Sequence, residues 1–316
     1  MSELGATPIL FTPTVAADQV VNNLTNDQVT LAKLENQLST GHSINQPSDN
    51  PAQTVNILNL KASVARASQY EANASDGEAW LQTANSVMNQ ILSTLQNVQQ
   101  VVLSADAPNT VNQASLDGMA SQVGAARQAL LNLANTTYGG QAIFAGTGSP
   151  SQINSAGAYD AGIAYDSTGR YVGGSSVPTR TVAPGISVPI AVTGPSVFGS
   201  GSSGLLGPSG ILATIESDLK SGNVSAVTTT DLSNLKAAIN MVQDQAAIVG
   251  AQYQRIQTLS AQATQTKQAL QTELSAVNDV NLPKAATELQ QQQNSYQAAL
   301  WAASQLVPMS LVDFLS

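Results

Sequence analysis

The side chains with the most reactive chemistry are few and lie far apart in the sequence. His42 is the only imidazole, and the chain contains no cysteine. A catalytic triad needs an imidazole between a nucleophile and a carboxylate, but the polar stretch around His42 offers no obvious triad partner. Asp49 and Glu288 are isolated carboxylates that are better explained as helix caps or first-turn charges. We therefore predict that the chain is not an enzyme and that His42 is a solvated loop residue.

Three short stretches bear a partial likeness to ligand-binding loops. FAGTGS (144–149) and GGSSVP (173–178) lack the terminal lysine and the strand-to-helix setting of a phosphate loop. PSDN (47–50) shares only its Asp and Asn with a calcium loop, is followed by Pro51 and has no downstream glutamate. Without cysteine and with one histidine, the chain has no thiolate ligands and no His-rich metal-ligand set. We predict no cofactor and no metal.

The composition excludes two classes of partner. The net charge is -9, and the 11 Lys and Arg residues are scattered singly, so there is no basic stripe for nucleic acid. No apolar run approaches the roughly 20 residues that span a bilayer, and no cleaved leader is expected. Hydrophobic residues make up 42% of the chain, enough for a core, whereas charged residues make up only 10%. The surface is therefore expected to be neutral and polar, which suits packing of like against like.

A polar stretch, LSTGHSINQPSDNPAQ (38–53), separates two helical patterns. Gly41 is placed to end the first helix in a left-handed conformation. Asp49 or Asn50 can cap the next helix, with Pro51 at its first position. One interpretation is a plain linker, and the other is a joint that sets an angle between two helical segments. The sequence leaves both open.

The N-terminal helical pattern carries one narrow apolar seam, interrupted by Asp27. Residues 1–14, with Gly5, Pro8 and Pro13, are expected to be extended or disordered. The seam comprises Val20, Leu24, Leu31, Leu34 and Leu38. A seam this narrow requires a partner helix.

The middle of the chain predicts two helices, at about 51–105 and 111–136. Ser75 with Glu78 could form a capping box that divides the first of them. One long helix is favoured, because no proline intervenes and Gly77 costs only about 1 kcal/mol relative to Ala. Its apolar face comprises Trp80, Ala84, Val87, Ile91, Leu95, Val98 and Val102.

After residue 139 the composition changes to Gly, Ser, Pro and short β-branched runs. Residues 180–182 and 186–192 read as short strands of a β module that ends near 208. A helix is predicted at 210–220 and a long one at about 231–277. The long helix shows a heptad repeat at Leu235, Val242, Val249, Ile256, Ala263, Leu270 and Val277.

The last predicted helix starts at Pro283, after a break at 279–282, and extends to about Val307. Trp301 is expected to become buried only on assembly. The predicted seam of this helix and the apolar tail that follows it comprise Leu289, Tyr296, Leu300, Ala303, Val307, Leu311, Phe314 and Leu315.

These patterns predict a mainly α fold. Both chain ends form a long antiparallel helical bundle or coiled-coil rod, with a small inserted β-rich domain. We expect 1–40 and 283–316 to be terminal coiled-coil arms that are disordered in the monomer, because a single narrow seam does not stabilise an isolated helix. Residues 41–145 with 209–282 form the helical rod, and 146–208 form the outer β-rich domain.

Four segments resemble the flagellin family. They are LSTGHSINQPSDNPAQ (38–53), NASDGEAWLQTANSVMNQILSTLQNVQQ (73–100), LLNLANTTYGGQAIFAGT (130–147) and VNLPKAATELQQQQNSYQAALWAASQLVPMSLVDFLS (280–316). The resemblance covers both helical arms, roughly three quarters of the chain. Within the family, the PSDNP box (47–51) and the SLVDFLS end are similar to the branch that forms the junction between flagellar hook and filament.

The resemblance implies a structural part of the extracellular bacterial flagellum. Members of that branch are exported unfolded through the flagellar type III apparatus, with a chaperone on the last helix, and form a ring-like layer between another hook-associated protein and flagellin. Assembly contacts are then expected at Leu24, Leu31, Leu38, Gly41, Ile44, Asn45, Pro47, Ser48, Asp49, Pro51, Leu289, Tyr296, Leu300, Trp301, Val307, Leu311, Phe314 and Leu315.

Two alternatives stay open at this point. A divergent filament flagellin would share the same arms and the same export route. The second alternative is an enzyme or adhesin whose site lies in the insertion. Residues 146–208 contain no His, Cys or Glu, which argues against hydrolytic or metal chemistry there. A receptor or glycan contact of the insertion is compatible with its composition.

If residues 38–53 form a joint that sets an angle between two helical segments, Gly41→Val or Pro51→Gly should disturb assembly more than folding of the monomer. Each substitution changes the angle between two helices without touching a core. Thermal unfolding of the purified variants, compared with motility of strains that express them, measures the two effects. Equal losses of stability and motility would favour a plain linker.

Overall fold

The computed structural model describes residues 13–106, 112–147 and 162–312. In the terminal helices, side chains are described from Asp18 onward at the N-terminal end and up to Ser304 at the C-terminal end. It is mainly α-helical with a small strand region, as predicted. The helices are α1 (Pro13–Thr40), α2 (Pro51–Ser104), α3 (Gln113–Ala134), α4 (Gly194–Phe198), α5 (Ile211–Lys220), α6 (Val224–Ala226), α7 (Leu232–Asn278) and α8 (Leu282–Val312).

The strands form two small antiparallel hairpins. β1 (Thr137–Tyr138) pairs with β2 (Gln141–Ala142), and β3 (Thr179–Ala183) pairs with β4 (Ile186–Pro189) through a register irregularity after Thr181. A 3-10 turn lies at Gly201–Ser203 and a π-helical stretch at Val227–Asp231. The strands predicted at 180–182 and 186–192 correspond to β3 and β4.

The chain divides into two compact units. The first comprises Met1–Ala65 with Gln268–Ser316, and the second comprises Arg66–Lys267. The first contains α1, α8 and the adjoining ends of α2 and α7. The second contains the large core and the β hairpins.

The core of the second unit rests on the predicted stripes of α2 and α7. Leu235, Val242, Val249 and Ile256 have no exposed surface, and the predicted apolar face of α2 from Trp80 to Val102 is buried. The strand region shares this core, since Ile190, Val197 and Phe198 belong to the same buried cluster. The ring of Phe198 also makes an edge contact with Phe144, at 5.7 Å between centroids.

Gly77 does not interrupt α2, so the single long helix is confirmed. A Cβ at Gly77 would lie 2.5 Å from Cδ1 of Ile256 and 2.9 Å from Cγ2 of Ile190. Gly77 therefore allows a close approach of α7 and the β3–β4 region to α2. Arg180 strengthens the same contact through an ion pair with Asp76, at 2.7 Å between Nε and Oδ2.

The helix starts differ from prediction at the N-terminal end. The first seam predicted a helix from Val20, but α1 begins at Pro13, because proline is favoured in a first helical turn. The predicted extended segment is therefore wrong for residues 13–14, and residues 1–12 lie outside the described ranges. Helix α3 begins at Gln113, capped by the Asn112 side chain, which accepts a hydrogen bond from the Ser115 N–H.

Asp231 is the only buried acidic side chain within the described ranges, with 4% of its surface exposed. Its Oδ2 atom has no hydrogen-bond partner. Burial raises the pKa of Asp231 to about 6, and the nearby Asp218 carboxylate adds to this shift. The α5–α7 region therefore holds a carboxyl group whose ionisation opposes folding.

Replacing this carboxyl should stabilise the second unit in a pH-dependent way. The unfolded aspartate loses its proton near pH 4, but folded Asp231 keeps it up to about pH 6, so stability falls between these values and stays lower above them. Asp231→Asn should raise the free energy of unfolding by on the order of 1–3 kcal/mol at about pH 7.5 and change it little at about pH 4.

Urea unfolding followed by Trp80 fluorescence in a Trp301→Phe background measures this effect. Trp80 is buried in the second unit, so its emission reports on that core. Asp244→Asn, on an exposed position of α7, is the matched control and should change stability little. A stabilisation by Asp231→Asn of equal size at both pH values would contradict the prediction.

Candidate assembly site

The terminal helices α1 and α8 pack against each other along one seam, in which positions alternate at spacings of four and three. This is the spacing of a coiled coil. The seam comprises Val20, Leu24, Asp27, Leu31, Leu34 and Leu38 on α1, with Ala285, Leu289, Gln292, Tyr296, Ala299 and Ala303 on α8. Only Leu34 and Ala285 are buried, and the other members are half-buried. The pairing of the two helices therefore leaves apolar surface uncovered.

A polar layer crosses the middle of this seam. Gln292 donates a hydrogen bond to Oδ1 of Asp27 at 2.8 Å, and the Gln28 amide donates to the Tyr296 hydroxyl at 2.7 Å. The interpretation of Asp27 as an interruption is thus wrong, because Asp27 occupies a seam position with its own partner. A polar pair in an apolar seam specifies the register of two helices at some loss of stability.

Leu300 and Trp301 lie outside the seam between α1 and α8. The exposed fractions are 44% for Leu300 and 70% for Trp301. Leu300 was predicted as a seam residue, but position 299 occupies the seam and the α-helical repeat turns position 300 outward. Val307 and Leu311 lie within α8, where their side chains are not described, and Phe314 and Leu315 lie outside the described ranges. Leu300 and Trp301 therefore form an exposed apolar pair beside the seam.

The break between α1 and α2 meets the break between α7 and α8, and the two form a short two-stranded ladder. The Ser43 N–H donates to the Asn278 carbonyl at 2.7 Å, and the Val280 N–H donates to the Gly41 carbonyl at 2.9 Å. Residues His42 and Asp279 face each other as an antiparallel pair. We refer to residues 41–43 with 278–280 as the joint. Gly41 permits this path because its φ is +74°, a left-handed conformation.

Side chains reinforce the joint. Asn278 is buried, and its Nδ2 donates to Nδ1 of His42 at 2.7 Å. The Ser275 hydroxyl donates to the Asp279 carboxylate. This hydrogen bond, helped by Asn278 and His42, lowers the pKa of Asp279 below its ordinary value although partial burial acts in the opposite direction. His42 is half exposed but has a structural partner, so its interpretation as a purely solvated loop residue is incomplete.

The loop that follows the joint folds around one carboxylate. Oδ2 of Asp49 accepts hydrogen bonds from the backbone N–H groups of Asn45 and Gln46, and Oδ1 lies 3.4 Å from Nζ of Lys33. Partial burial raises the pKa of Asp49, but these donors and the Lys33 ammonium outweigh it, so the pKa lies below its ordinary value. Asp49 therefore connects the loop to α1.

The hydrogen bonds at the start of α2 show which of the two candidate residues caps the helix. Oδ1 of Asn50 accepts a hydrogen bond from the Gln53 N–H at 3.1 Å, and Pro51 is the first helical residue. Asn50 is thus the cap and Asp49 organises the loop. Ile44 is half-buried, whereas Pro47 and Ser48 are exposed.

The arrangement suits association of helices. Across the parts of the chain that the structure describes, no group of three or more His, Asp or Glu side chains could hold a metal ion. Within the same ranges, no helix combines the length and the apolar character needed to cross a membrane. What the first unit offers is a half-covered seam, an exposed apolar pair and a joint.

Family models match both helical parts of the chain. The bacterial flagellin N-terminal helical region matches residues 13–149, and the bacterial flagellin C-terminal helical region matches residues 232–315. The chain belongs to the flagellin family. The hairpin of β3 and β4 lies between the two matched regions, whereas the hairpin of β1 and β2 lies within the first of them.

Relatives within this family share most of their length with the chain. Flagellar hook-associated protein 3 of Escherichia coli K12 is 26% identical over 95% of this chain and 98% of its own length, and its Salmonella typhimurium counterpart is 26% identical over 93% and 96%. A solved flagellar hook-associated protein of Vibrio parahaemolyticus has a TM-score of 0.61 at 18% identity, covering 73% of this chain and 100% of its own.

Several residues of the site were not predicted from the sequence of this flagellin-family chain. Asp27 and Gln292 occupy heptad positions, so the spacing could have identified them if polar residues had been allowed in the seam. Asn278 and Ser43 had no such signal, because their contact joins residues 235 apart in the sequence.

The polar layer predicts that an apolar replacement strengthens the pairing of α1 with α8. Asp27→Leu combined with Gln292→Leu should increase amide hydrogen-exchange protection of residues 20–38 and 285–303 in the free protein, because it removes the layer that lowers stability. Asn26→Leu with Gln291→Leu adds the same side chains at exposed positions and serves as control. Equal protection in both variants would contradict the role assigned to the layer.

Proposed function

We propose that this flagellin-family chain is a structural component of the extracellular bacterial flagellum, where it forms the junction layer between hook and filament. The observation that carries the proposal is the similarity over nearly the whole length to relatives named flagellar hook-associated protein 3. The chain is a structural protein and not an enzyme, in keeping with these relatives.

The half-buried seam supports a role in assembly. Leu24, Leu31 and Leu38 on one helix and Leu289 and Tyr296 on the other remain partly in water when α1 and α8 pair. Neighbouring copies in a ring-like layer would cover this surface, so ordering of the arms is coupled to assembly. The proposed arms are 1–40 and 283–316, disordered in the monomer, on a rod of 41–145 and 209–282 that carries the outer domain 146–208.

The proposed route and partners follow from the same surfaces. The chain has no cysteine, so no disulfide hinders export in an unfolded state through the flagellar type III apparatus. An export chaperone would cover α8, where Leu300 and Trp301 are exposed. In the assembled flagellum the layer would contact another hook-associated protein on one side and flagellin on the other.

Deleting residues 284–316 tests the proposal. The truncated chain should keep the buried core of the second unit, which lies within Arg66–Lys267, but should fail to join the flagellum because α1 loses its seam partner. Circular dichroism and Trp80 fluorescence of the purified protein measure the core, and motility of a strain with only the truncated chain measures incorporation. Complementation with the full chain is the control, and normal motility of the truncated strain would overturn the proposal.

The secreted flagellin distinguishes a junction protein from a divergent filament flagellin. Loss of a junction protein should leave hooks with flagellin released unpolymerised into the medium. Loss of a filament flagellin should leave hooks without released monomer. Purified chain that forms long filaments by itself would likewise favour the flagellin alternative.

A further inference from the structure

The π-helical stretch Val227–Asp231 joins the short helix α6 to the long helix α7. Its two buried residues are Val227 and Asp231, and Asp231 is only 4% exposed. π-helical turns are rare and are found frequently at functional sites. An aspartate is almost never fully buried unless it is paired. The position of Asp231 therefore raises the question of what its carboxyl group is paired with.

The group that faces Asp231 is another carboxyl. Oδ2 of Asp231 has no hydrogen-bond partner, and the side chain within hydrogen-bonding reach of this carboxyl is that of Asp218 on α5. Asp218 is half-buried, and Nδ2 of Asn223 lies 3.5 Å from its Oδ1 atom. Two ionised carboxylates cannot form a hydrogen bond, because both only accept. A bond between Asp218 and Asp231 therefore requires one shared proton.

The charged groups around this pair, within the described ranges, do not offer it a cation. Helices α5 and α6 pack against the π-helical stretch, and α6 has no charged residue. On α5, Lys220 pairs with Glu216 at 2.6 Å, and on α7 the nearest charged residue, Lys236, is exposed. Burial is the main cause that raises the pKa of Asp231 to about 6, and repulsion by Asp218 adds to it. The pair is therefore favourable with one proton and unfavourable with none.

Helix α5 is a short piece that can move separately from the long helices. It has 10 residues and lies between Gly210 at its start and a turn at Gly222, where φ is +71°. Its apolar face has no exposed surface and comprises Leu212, Ile215 and Leu219. Proteins open locally in short contiguous units of this kind without unfolding as a whole. The contact between α5 and the π-helical stretch is thus one that a change of charge can loosen locally.

We propose that Asp218 and Asp231 act as a proton-dependent switch that holds α5 against the start of α7. The switch is closed while the two carboxyl groups share one proton. When both are ionised, their repulsion loosens α5 and the π-helical stretch, so that residues 211–231 open more often while the long helices stay folded. This inference goes beyond the proposed function, because it concerns a single copy of the chain and not its assembly.

The switch should open as the pH rises. An aspartate in an opened segment loses its proton near pH 4, whereas Asp231 in the closed state keeps its proton up to about pH 6. The equilibrium constant for opening therefore increases with pH between these values and levels off above about pH 7. Between pH 5 and pH 7 the two pKa values give an increase of about tenfold.

Native-state amide hydrogen exchange of the full chain, corrected for the intrinsic effect of pH on exchange, measures this opening. Protection of residues 211–231 should be about tenfold lower at pH 7 than at pH 5. At pH 7 it should also be lower than that of residues 80–102 in the core of α2, and it should change little with low concentrations of urea, because local opening exposes little surface. Equal protection of 211–231 at both pH values, or a dependence on urea as steep as that of 80–102, would overturn the proposal.

Two substitutions test whether the carboxyl pair is the cause. Asp231→Asn introduces an uncharged side chain of the same shape and should leave 211–231 equally protected at pH 5 and pH 7. Asp218→Asn removes the repelling carboxylate and places an amide donor beside Asp231, so it should reduce the tenfold difference by about half or more. Asp244→Asn, at an exposed position of α7, is the control and should keep the full difference.

An undiminished difference in Asp218→Asn would overturn the pairing of the two carboxyl groups, and one in Asp231→Asn would overturn the switch itself. Both variants are measured as purified chain, so the result does not depend on motility or on released flagellin.

Discussion

The terminal helices α1 and α8 each carry an apolar stripe about one side chain wide, and the first unit depends on their pairing. An isolated helix with so little apolar surface is only marginally stable in water. Pairing buries Leu34 and Ala285, but it leaves most of the seam half exposed. The same narrowness that makes each helix weak alone therefore also leaves apolar surface of the pair in contact with water.

Polar contacts give this weak pairing its register. Asp27 with Gln292 and Gln28 with Tyr296 fix how the two helices align. At the end of the pair, the joint connects the chain breaks through backbone hydrogen bonds and the buried Asn278. Hydrogen bonds add little net stability but are strongly geometric, so they suit a region that must be aligned without being rigidly stable.

The second unit follows a different physical rule. There the stripes of α2 and α7 are fully buried, and the strand region contributes Ile190 and Phe198 to the same core. Gly77 shows how tight this packing is, since even a methyl group would meet Ile256 and Ile190. Such a core is complete within the chain, whereas most of the seam in the first unit stays half exposed.

Much of the fold could be predicted from periodicity alone. Three local signals predicted helices: the heptads of α7, the long apolar face of α2, and the residues Gly41, Asn50 and Pro51 that end one helix and begin the next. The structure confirms these helices. The resemblance to flagellins was likewise carried by local segments, at 38–53, 73–100, 130–147 and 280–316. Leu300 was placed wrongly, because an apolar residue next to a seam cannot be told from one within it by type alone.

The sequence by itself therefore determined which segments are helical, where they stop, and that both ends need a partner, because these properties depend on residues within a few turns of each other. Only the tertiary structure decided that the two chain breaks meet as one joint, that Asp27 belongs to the seam, and that Gly77 is a site of close contact with Ile256 and Ile190. Each of these depends on residues far apart in sequence, whose proximity follows from the packing of whole helices and leaves no local pattern.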